Sequence, residues 1–299
     1  MSVVREPVFV SVLDPADVSL FSGFRDVSVS VANATGPYSF LQSVLGARLL
    51  GARVDVVVGY WGSTFADLAE NGYLIPLNLT GGVVYRGRVV GVPVDYGVPL
   101  VICRGAPPPR SVHELLNLSR SGGLAVVADP VVLSSVVYSL GGSYFNGSPR
   151  ALLSRDTVRG FEAVELLLRN DPGDPFNYTR QRSLFNNGSV RCLLDLWWVS
   201  KPLPSGYTAY IFYNKSLAYV KAAFALSPRG AEFLQRYGDK LLIKNRSFDI
   251  ALGRVEPIPV YRPGAYDPLL PGVSYATYLI YRGTEPTQAL KQVVRQLTQ

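Results

Sequence analysis

Aromatic and acidic side chains at the ends of predicted strands are the residues of this sequence best suited to chemistry. The tryptophans are Trp61, Trp197 and Trp198, and each follows a short apolar run. Acidic and phenolic side chains stand near similar strand ends, at Asp14, Asp95, Tyr96 and Asp195. A flat ring can cover the apolar C–H face of a sugar, and a carboxylate can accept hydrogen bonds from its hydroxyl groups. These residue types are therefore suited to binding a carbohydrate.

The sequence lacks the motifs of the common catalytic and cofactor sites. His113 is the only histidine, which excludes a zinc site with two or three imidazoles. There is no Gly-x-Ser-x-Gly motif, no P-loop and no Gly-x-Gly-x-x-Gly fingerprint. We therefore expect a protein that is not an enzyme and binds no cofactor or metal. A glycoside-processing enzyme, with two carboxylates facing each other across the substrate, is the less favoured alternative.

The positive charge does not indicate a nucleic-acid partner. The chain of 299 residues has a formal net charge of +7, but its arginines are scattered and no run of five like charges occurs. With 48% hydrophobic and 17% charged residues, the composition is that of a globular chain with a large core. The length alone predicts about two domains.

Eight of the eleven asparagines open an Asn-x-Ser/Thr triplet, and the middle residue is never proline. Serine and threonine account for 36 of the 299 residues, so chance would give about one such triplet. Asparagine–glycine turns explain two of them. N-glycosylation takes place outside the cytoplasm, so the excess predicts an extracellular or cell-surface glycoprotein. The predicted glycosylation sites are Asn33, Asn78, Asn117, Asn146, Asn177, Asn187, Asn214 and Asn245.

Two cysteines, Cys103 and Cys192, fit the same compartment. An even pair in an extracellular chain can form one disulfide, and two buried free thiols are the alternative. No signal peptide precedes the first predicted strand, so we expect that a leader or anchor has been removed from this sequence. The longest apolar stretch, 123–142, is interrupted by Asp129 and Pro130 and is not expected to span a membrane.

Strand and helix patterns alternate along the first hundred residues. The βαβαβ order that they form favours a parallel α/β sheet. Strands are predicted at 8–13, 27–32, 55–58, 190–198 and 207–213, with a long extended stretch at 89–103. Helices are predicted at 37–50, 64–71, 154–170, 215–226, 227–237 and 284–297.

Four segments carry a further pattern, in one order along the chain. Residues 54–77 read VDVVVGYWGSTFADLAENGYLIPL, and residues 89–104 read VVGVPVDYGVPLVICR. Residues 184–198 read LFNNGSVRCLLDLWW, and residues 278–291 read YLIYRGTEPTQALK. With these segments the chain resembles the solute-binding proteins of ABC transporters, in the branch that includes the maltose-binding proteins. It departs from the family pattern at Arg104, where asparagine is usual, and at Leu196–Trp197, where the family has Gly-Pro.

The resemblance implies a two-lobed α/β fold of the periplasmic-binding-protein type (type II) with three hinge crossovers. The expected lobe I comprises 1–97 and 207–257, and lobe II comprises 98–206 and 258–299. A solute, by its chemistry a carbohydrate, is then held between closing lobes and delivered by a monomeric protein to a membrane ABC permease. Open α/β sheets bind ligands at the carboxyl ends of their strands. The expected ligand-binding residues are Asp14, Tyr38, Tyr60, Trp61, Ser63, Asp95, Tyr96, Asp195 and Trp198.

Several alternatives stay open at this point. Adjacent residues of a strand point in opposite directions, so one of Trp197 and Trp198 is expected to pack, and the family pattern favours Trp198 as the ligand contact. Related binders hold ferric ions or oxyanions through tyrosines or backbone amides, and this chain has 18 tyrosines. An interaction module that has kept the fold and lost the cleft is the last alternative.

Overall fold

The structure, a computed structural model, describes residues 6–32, 34–105, 107–242 and 253–299. The chain divides into two compact units. As far as their residues are described, the first comprises Met1–Asp95, Val220–Lys244 and Arg262–Tyr266, and the second comprises Tyr96–Tyr219, Asn245–Tyr261 and Asp267–Gln299. The boundaries predicted after residues 97, 206 and 257 differ from these divisions, most of all at the second one.

The first unit contains the predicted βαβαβ alternation. Strand β1 (Val8–Val12) lies between β2 (Val27–Val31) and β3 (Val56–Tyr60), and all three are parallel. Helix α1 (Pro37–Leu49) connects β2 to β3, and α2 (Ser63–Glu70) follows β3. The three valines of β3 are fully buried, as expected of a parallel strand covered on both faces.

The long extended stretch of the sequence is strand β5 (Arg88–Arg104), which is preceded by β4 (Val83–Tyr85). Strand β4 pairs with the start of β5 in an antiparallel manner. The residues of β5 through Asp95 belong to the first unit, and those from Tyr96 onward belong to the second. The chain therefore passes from one unit to the next within a single strand.

In the second unit, β5 has an antiparallel strand on each side. Residues 97–103 pair with β7 (Cys192–Trp198), and residues 101–104 pair with β8 (Tyr207–Tyr210). Strand β6 (Leu124–Val126) extends the sheet in parallel to β7. Because β8 pairs with this half of β5, it belongs to the second unit, which explains why the division falls after Tyr219 and not after residue 206.

A disulfide joins Cys103 of β5 to Cys192 of β7. The two residues are partners in the strand register, their Cα atoms are 4.1 Å apart, and both side chains are buried. The bond spans a sequence separation of 89 residues. On the chain-entropy model, closing a loop of that length stabilises the fold by about 4–5 kcal/mol.

Helices of the second unit cover this sheet and begin at side chains that accept a hydrogen bond from the first turn. Their N-caps are Ser111, Asp129, Ser154 and Asn177. The helices are α3 (Val112–Arg120), α4 (Pro130–Ser139), α5 (Arg155–Arg169) and α6 (Tyr178–Asn186). His113 is exposed on α3.

The sequence prediction of a helix at 215–226 is wrong, because these residues form strand β9 (Ser216–Ala225). Four alanines within the segment favour a helix by intrinsic propensity. Tertiary pairing overrides that preference: in the first unit β9 pairs with β3 in an antiparallel manner, from Val56 opposite Ala225 to Tyr60 opposite Lys221. Every residue of the strand except Tyr219 is buried.

Three more helices and a short strand follow among the described residues. Helix α7 (Pro228–Leu241) and α9 (Pro286–Thr298) were predicted, whereas α8 (Leu269–Tyr281) was not. Strand β10 (Val255–Pro257) pairs with the start of β9 in the second unit. Each unit has its own hydrophobic core. Among the described residues, no helix has the length and the apolar character that crossing a bilayer requires.

Candidate functional site

In the first unit, Lys221 is the centre of a buried polar cluster. Its Nζ donates a hydrogen bond to Oδ1 of Asp17 at 2.8 Å and to Oδ2 of Asp14 at 3.1 Å. The same ammonium lies 5.3 Å from the ring centroid of Tyr60. Lys221 and Asp17 are each 6% exposed, so water screens this ion pair only weakly.

The ends of two parallel strands bring these side chains together. Asp14 follows β1 and caps the 3-10 turn Pro15–Phe21, since its Oδ1 accepts from the backbone N–H of Ala16 at 3.0 Å. Tyr60 is the last residue of β3 and stands opposite Lys221 in the strand register. The carboxyl ends of adjacent parallel strands lie at one edge of the sheet, which is the place expected for a ligand.

The charges of this cluster act on one another. Burial raises the pKa of Asp17, the hydrogen bond and charge of Lys221 oppose that rise, and the charges of Asp14 and Asp95 add to it. Burial lowers the pKa of Lys221, but its carboxylate partners outweigh burial and hold the pKa above the usual value. Lys221 is therefore an ammonium at neutral pH. Asp95, which is 5% exposed, also acts on Asp17 through its charge and so belongs to this cluster.

The other residues predicted in the first unit lie elsewhere in it. Trp61 is 4% exposed, and its ring centroid lies 5.8 Å from that of Tyr85 and 6.3 Å from that of Phe224. Ser63 is the first residue of α2, and Tyr38 is an exposed residue in the first turn of α1. A ligand contact of these residues stays a prediction, and for Trp61 the packing shows a core side chain.

In the second unit, Asp195 is held by a bidentate ion pair. Arg182 donates from Nε to Oδ2 at 2.6 Å and from Nη2 to Oδ1 at 3.1 Å. The backbone N–H of Leu196 donates to Oδ1 at 2.7 Å. The side chain of Asp195 is 5% exposed and that of Arg182 is 52% exposed. The two parallel hydrogen bonds fix the plane of the carboxylate, and the guanidinium has further N–H donors.

A second carboxylate of this unit, Asp129, belongs to the same polar region. Its Oδ1 accepts from the backbone N–H groups of Val131 at 2.8 Å and Val132 at 3.3 Å, and its Oδ2 accepts from the Tyr219 hydroxyl at 3.3 Å. Burial raises the pKa of Asp129. Burial also raises the pKa of Tyr178, and the charges of Asp129 and Asp195 add to that rise.

A cavity of about 420 Å³ opens beside Asp195. Its lining includes the predicted residues Asp195 and Trp198, and also Arg182, Trp197, Lys201 and Tyr207. The indole N–H of Trp197 donates to the backbone carbonyl of Lys201 at 2.8 Å, which fixes that ring. The volume lies within the range of small-molecule sites, and flat rings with a few fixed polar groups are the usual lining of such sites.

Tyr96 and Gly97 support the second tryptophan of this cavity. The Tyr96 carbonyl accepts from the backbone N–H of Val199 at 2.9 Å, and burial raises the pKa of the Tyr96 hydroxyl. Gly97 stands opposite Trp198 in the strand register. A Cβ atom at Gly97 would lie 3.3 Å from Cζ2 of Trp198 and 3.1 Å from Cδ2 of Leu196. Glycine at this position therefore lets the indole lie close to β5.

Volume alone does not identify the site. A larger cavity, of about 1030 Å³, lies in the first unit and is lined by Phe24, Phe233 and Tyr237 together with arginines of α7. None of the predicted ligand-binding residues lines it. The residue types thus favour the smaller cavity and the Lys221 cluster.

Several members of the two clusters were missed by the sequence analysis: Asp17, Asp129, Tyr178, Arg182, Tyr219 and Lys221. Lys221 had a signal, because it is the only charged residue in the apolar run 217–226. Asp129 also had one, since Asp-Pro is a helix-start pattern. Arg182 had none, because nothing in the sequence pairs it with Asp195.

Comparisons with known proteins give the fold. No protein-family model and no curated protein matches the sequence. A maltose-binding protein, MalE, from Listeria monocytogenes, solved with maltose, matches with a TM-score of 0.75 at 13% identity over 98% of this chain and 97% of its own. The chain has the maltose-binding-protein-like fold.

Two more solved structures agree with this assignment. The GacH receptor of Streptomyces glaucescens, studied unliganded and with acarbose, has a TM-score of 0.67 at 15% identity over 98% of both chains. The ABC substrate-binding protein Lmo0181 of Listeria monocytogenes, solved with cycloalternan, has a TM-score of 0.63 at 12% identity over 98% of both chains. The predicted α/β fold class is thereby confirmed. Because the identities are low, the ligand contacts of this chain have to be argued from its own residues.

Proposed function

We propose that the protein is an extracellular solute-binding protein of an ABC importer, which captures a sugar or oligosaccharide and delivers it to a membrane permease. The observation that carries this proposal is the second-unit cavity, in which the Asp195–Arg182 pair and two indoles surround a volume suited to a small molecule. The fold supports the proposal, because solved structures that share it contain maltose, cycloalternan or acarbose.

The cavity offers both kinds of contact that a sugar ring needs. The Trp197 and Trp198 rings provide flat apolar surface for a C–H face. The Asp195 oxygens keep lone pairs beyond those used by Arg182 and can accept from sugar hydroxyls, while Arg182 and Lys201 can donate to them. Since the ion pair already fixes Asp195, little side-chain entropy is lost on binding.

The first unit has a polar cluster of its own that is also suited to sugar hydroxyl groups. The side chain of Asp14 is 39% exposed and is oriented by Lys221 and by its cap bond, so it can accept a hydrogen bond from a hydroxyl group of the solute. Tyr60 adds a half-buried ring and hydroxyl.

The exposure of the predicted glycosylation sites supports the proposal that the protein is an exported glycoprotein. Of the eight predicted glycosylation sites, Asn33 and Asn245 lie outside the described residues. The other six asparagines are all exposed: Asn78, Asn117, Asn146, Asn177, Asn187 and Asn214. Together with the Cys103–Cys192 disulfide, this exposure supports an oxidising, extracellular location. We infer that the protein acts there as a monomer.

A titration tests the proposed function. Tryptophan fluorescence and calorimetry with maltose, maltotriose, cyclic oligosaccharides and acarbose should reveal a ligand with a Kd in or below the micromolar range, which corresponds to about 8 kcal/mol. Asp195→Asn and Trp198→Ala should each weaken that ligand by about tenfold or more. Tyr237→Phe, in the larger cavity of the first unit, is the matched control and should leave the Kd unchanged.

Three results would count against the proposal. One is the absence of any heat, fluorescence change or thermal shift with every sugar at millimolar concentration. Another is a sugar whose Kd changes with Tyr237→Phe and not with Asp195→Asn. Turnover of a chromogenic glycoside by the wild-type protein would favour the glycosidase alternative.

A further inference from the structure

The predicted glycosylation sites fall into two classes, according to whether the serine or threonine of the Asn-x-Ser/Thr motif is exposed or buried. An Asn-x-Ser/Thr motif is defined by two side chains, so a transferase that recognises it has to reach the asparagine and the hydroxyl together. In three sequons both residues are exposed, namely Asn78 with Thr80, Asn177 with Thr179 and Asn187 with Ser189. In two others the asparagine is exposed and the serine is buried.

The first of these is the sequon of Asn117 and Ser119, which lies within helix α3. Residues two apart on a helix do not face the same side. Asn117 accordingly points to the surface, where it contacts His113 and Arg120, while Ser119 is 1% exposed. The Ser119 hydroxyl is buried without a hydrogen-bond partner among the described residues. No rotation of a side chain brings both groups to one side while the helix persists.

The second is the sequon of Asn214 and Ser216, which leads into strand β9. Ser216 is fully buried, and its Oγ lies 2.9 Å from Oγ of Ser134 on α4. Its backbone N–H donates to the carbonyl of Arg254 at 3.0 Å. The hydroxyl becomes accessible only when the start of β9 leaves both β10 and α4, which disrupts the second unit.

We propose that Asn117 and Asn214 accept a glycan only before the chain folds, whereas Asn78, Asn177 and Asn187 remain acceptors on the folded protein. This inference rests on the proposed export and glycosylation of the protein. The sequon of Asn146 lies between the two classes, because Ser148 is half-buried and caps a turn through its Oγ.

The reaction at each site is a glycosyl transfer from a lipid-phosphate-linked oligosaccharide. The asparagine Nδ2 forms a bond to the anomeric carbon, and the bond from that carbon to the lipid phosphate oxygen breaks. The phosphate leaves with the electron pair, and the amide nitrogen gives up one proton to a base of the transferase. The folded protein contributes only access to its two side chains.

Two arms of one experiment test the proposal on the full chain. In the first arm, the chain is synthesised in the presence of glycosylating membranes and is therefore modified as it emerges. In the second, unglycosylated folded protein is incubated with a detergent-solubilised oligosaccharyltransferase and its lipid-linked donor. Mass spectrometry of proteolytic fragments then gives the occupancy of each site.

We expect occupancy at Asn117 and Asn214 in the first arm, and a loss of about tenfold or more at these two sites in the folded arm. Asn78, Asn177 and Asn187 should be modified in both arms. Ser189→Ala is the matched control: it removes an exposed hydroxyl and should abolish modification of Asn187 without changing the other sites.

The proposal would be overturned if, in the folded arm, Asn117 or Asn214 were glycosylated to the same occupancy as Asn187. So would modification of Asn187 in the Ser189→Ala variant, because recognition would then not need the hydroxyl. If no site is modified in either arm, both this inference and the predicted glycosylation fail, while the sugar titration still stands as a separate test of ligand binding.

Discussion

Replacing Lys221 by methionine tests whether the first-unit cluster is held together by its buried ammonium. Methionine keeps an unbranched apolar side chain of similar length and removes only the charge and its donors. Asp17 then loses the 2.8 Å hydrogen bond to its Oδ1. Its Oδ2 already has no hydrogen-bond partner among the described residues, so a carboxylate that is 6% exposed loses its main compensation.

The magnitude follows from two estimates. Breaking a buried ion pair by removing one partner typically costs about 3–5 kcal/mol. Asp17 can limit this loss by taking up a proton. Holding a carboxyl with an ordinary pKa of 3.8 neutral at pH 7 costs about 1.4 kcal/mol per pH unit, which sets a ceiling of about 4 kcal/mol. Because the variant also avoids burying an ammonium, we expect the free energy of unfolding to fall by about 3 kcal/mol.

The stability difference between the variant and the wild type should change with pH in one direction. In the variant, burial without Lys221 raises the pKa of Asp17 further above its unfolded value. A carboxyl with a raised pKa takes up a proton more readily when folded, so its folded state gains stability as the pH falls. The difference from wild type should therefore be largest near pH 7 and should shrink as the pH approaches the ordinary pKa of 3.8.

Urea denaturation at pH 7 and pH 4.5, followed by circular dichroism, measures this difference. Lys291→Met removes the same charge from an exposed position of α9 and should change the free energy of unfolding by no more than about 0.5 kcal/mol. The reasoning is refuted if Lys221→Met is as stable as this control at pH 7, or if its deficit grows as the pH is lowered.

Three further predictions concern the second unit. Gly97→Ala places a Cβ atom 3.3 Å from the Trp198 ring, so we expect a loss of about 1–3 kcal/mol in denaturation and a shifted Trp198 emission; unchanged emission would contradict the packing. Replacing both Cys103 and Cys192 by alanine should lower the free energy of unfolding by about 3–5 kcal/mol, and an unchanged urea midpoint under non-reducing conditions would argue against the disulfide. Tyr219→Phe removes the 3.3 Å hydrogen bond to Asp129 and should cost about 1 kcal/mol, whereas Tyr275→Phe, at an exposed position of α8, should cost less than half of that.

Local sequence patterns were sufficient to predict the first three strands of the first unit, where strand and helix patterns alternate clearly. The runs at 8–13, 27–32 and 55–58 became β1, β2 and β3 with ends that differ by one or two residues. They succeeded because each run is short, rich in β-branched valine and bounded by helix or turn patterns. Strand β9 failed because an alanine-rich apolar segment of ten residues satisfies both helix and strand patterns, and only the neighbouring strands decide between them.

The error at β9 also explains what was missed in the candidate site. On a helix, Lys221 would be placed on a surface face, away from the strand ends. On a strand it stands opposite Tyr60 and reaches Asp14, both of which the sequence had selected. Strand-end position holds for Asp14 and Tyr60, whereas Asp95, expected near a strand end, lies in the middle of β5. The cation of this cluster, Lys221, could be found only from the long-range pairing of β3 with β9.

The ion pair of the first-unit cluster and that of the second-unit cavity differ in exposure, and we infer different roles from this difference. Lys221 and Asp17 are both buried, so their ion pair stabilises the fold and has little surface left for a solute. Its loss is expected to lower the free energy of unfolding. Arg182 is half exposed and holds a buried Asp195, so its remaining N–H donors are open to a solute. Arg182→Lys keeps the charge but loses the bidentate geometry. It should therefore weaken sugar binding with little change in the free energy of unfolding, whereas Lys221→Met is expected to lower the free energy of unfolding by about 3 kcal/mol.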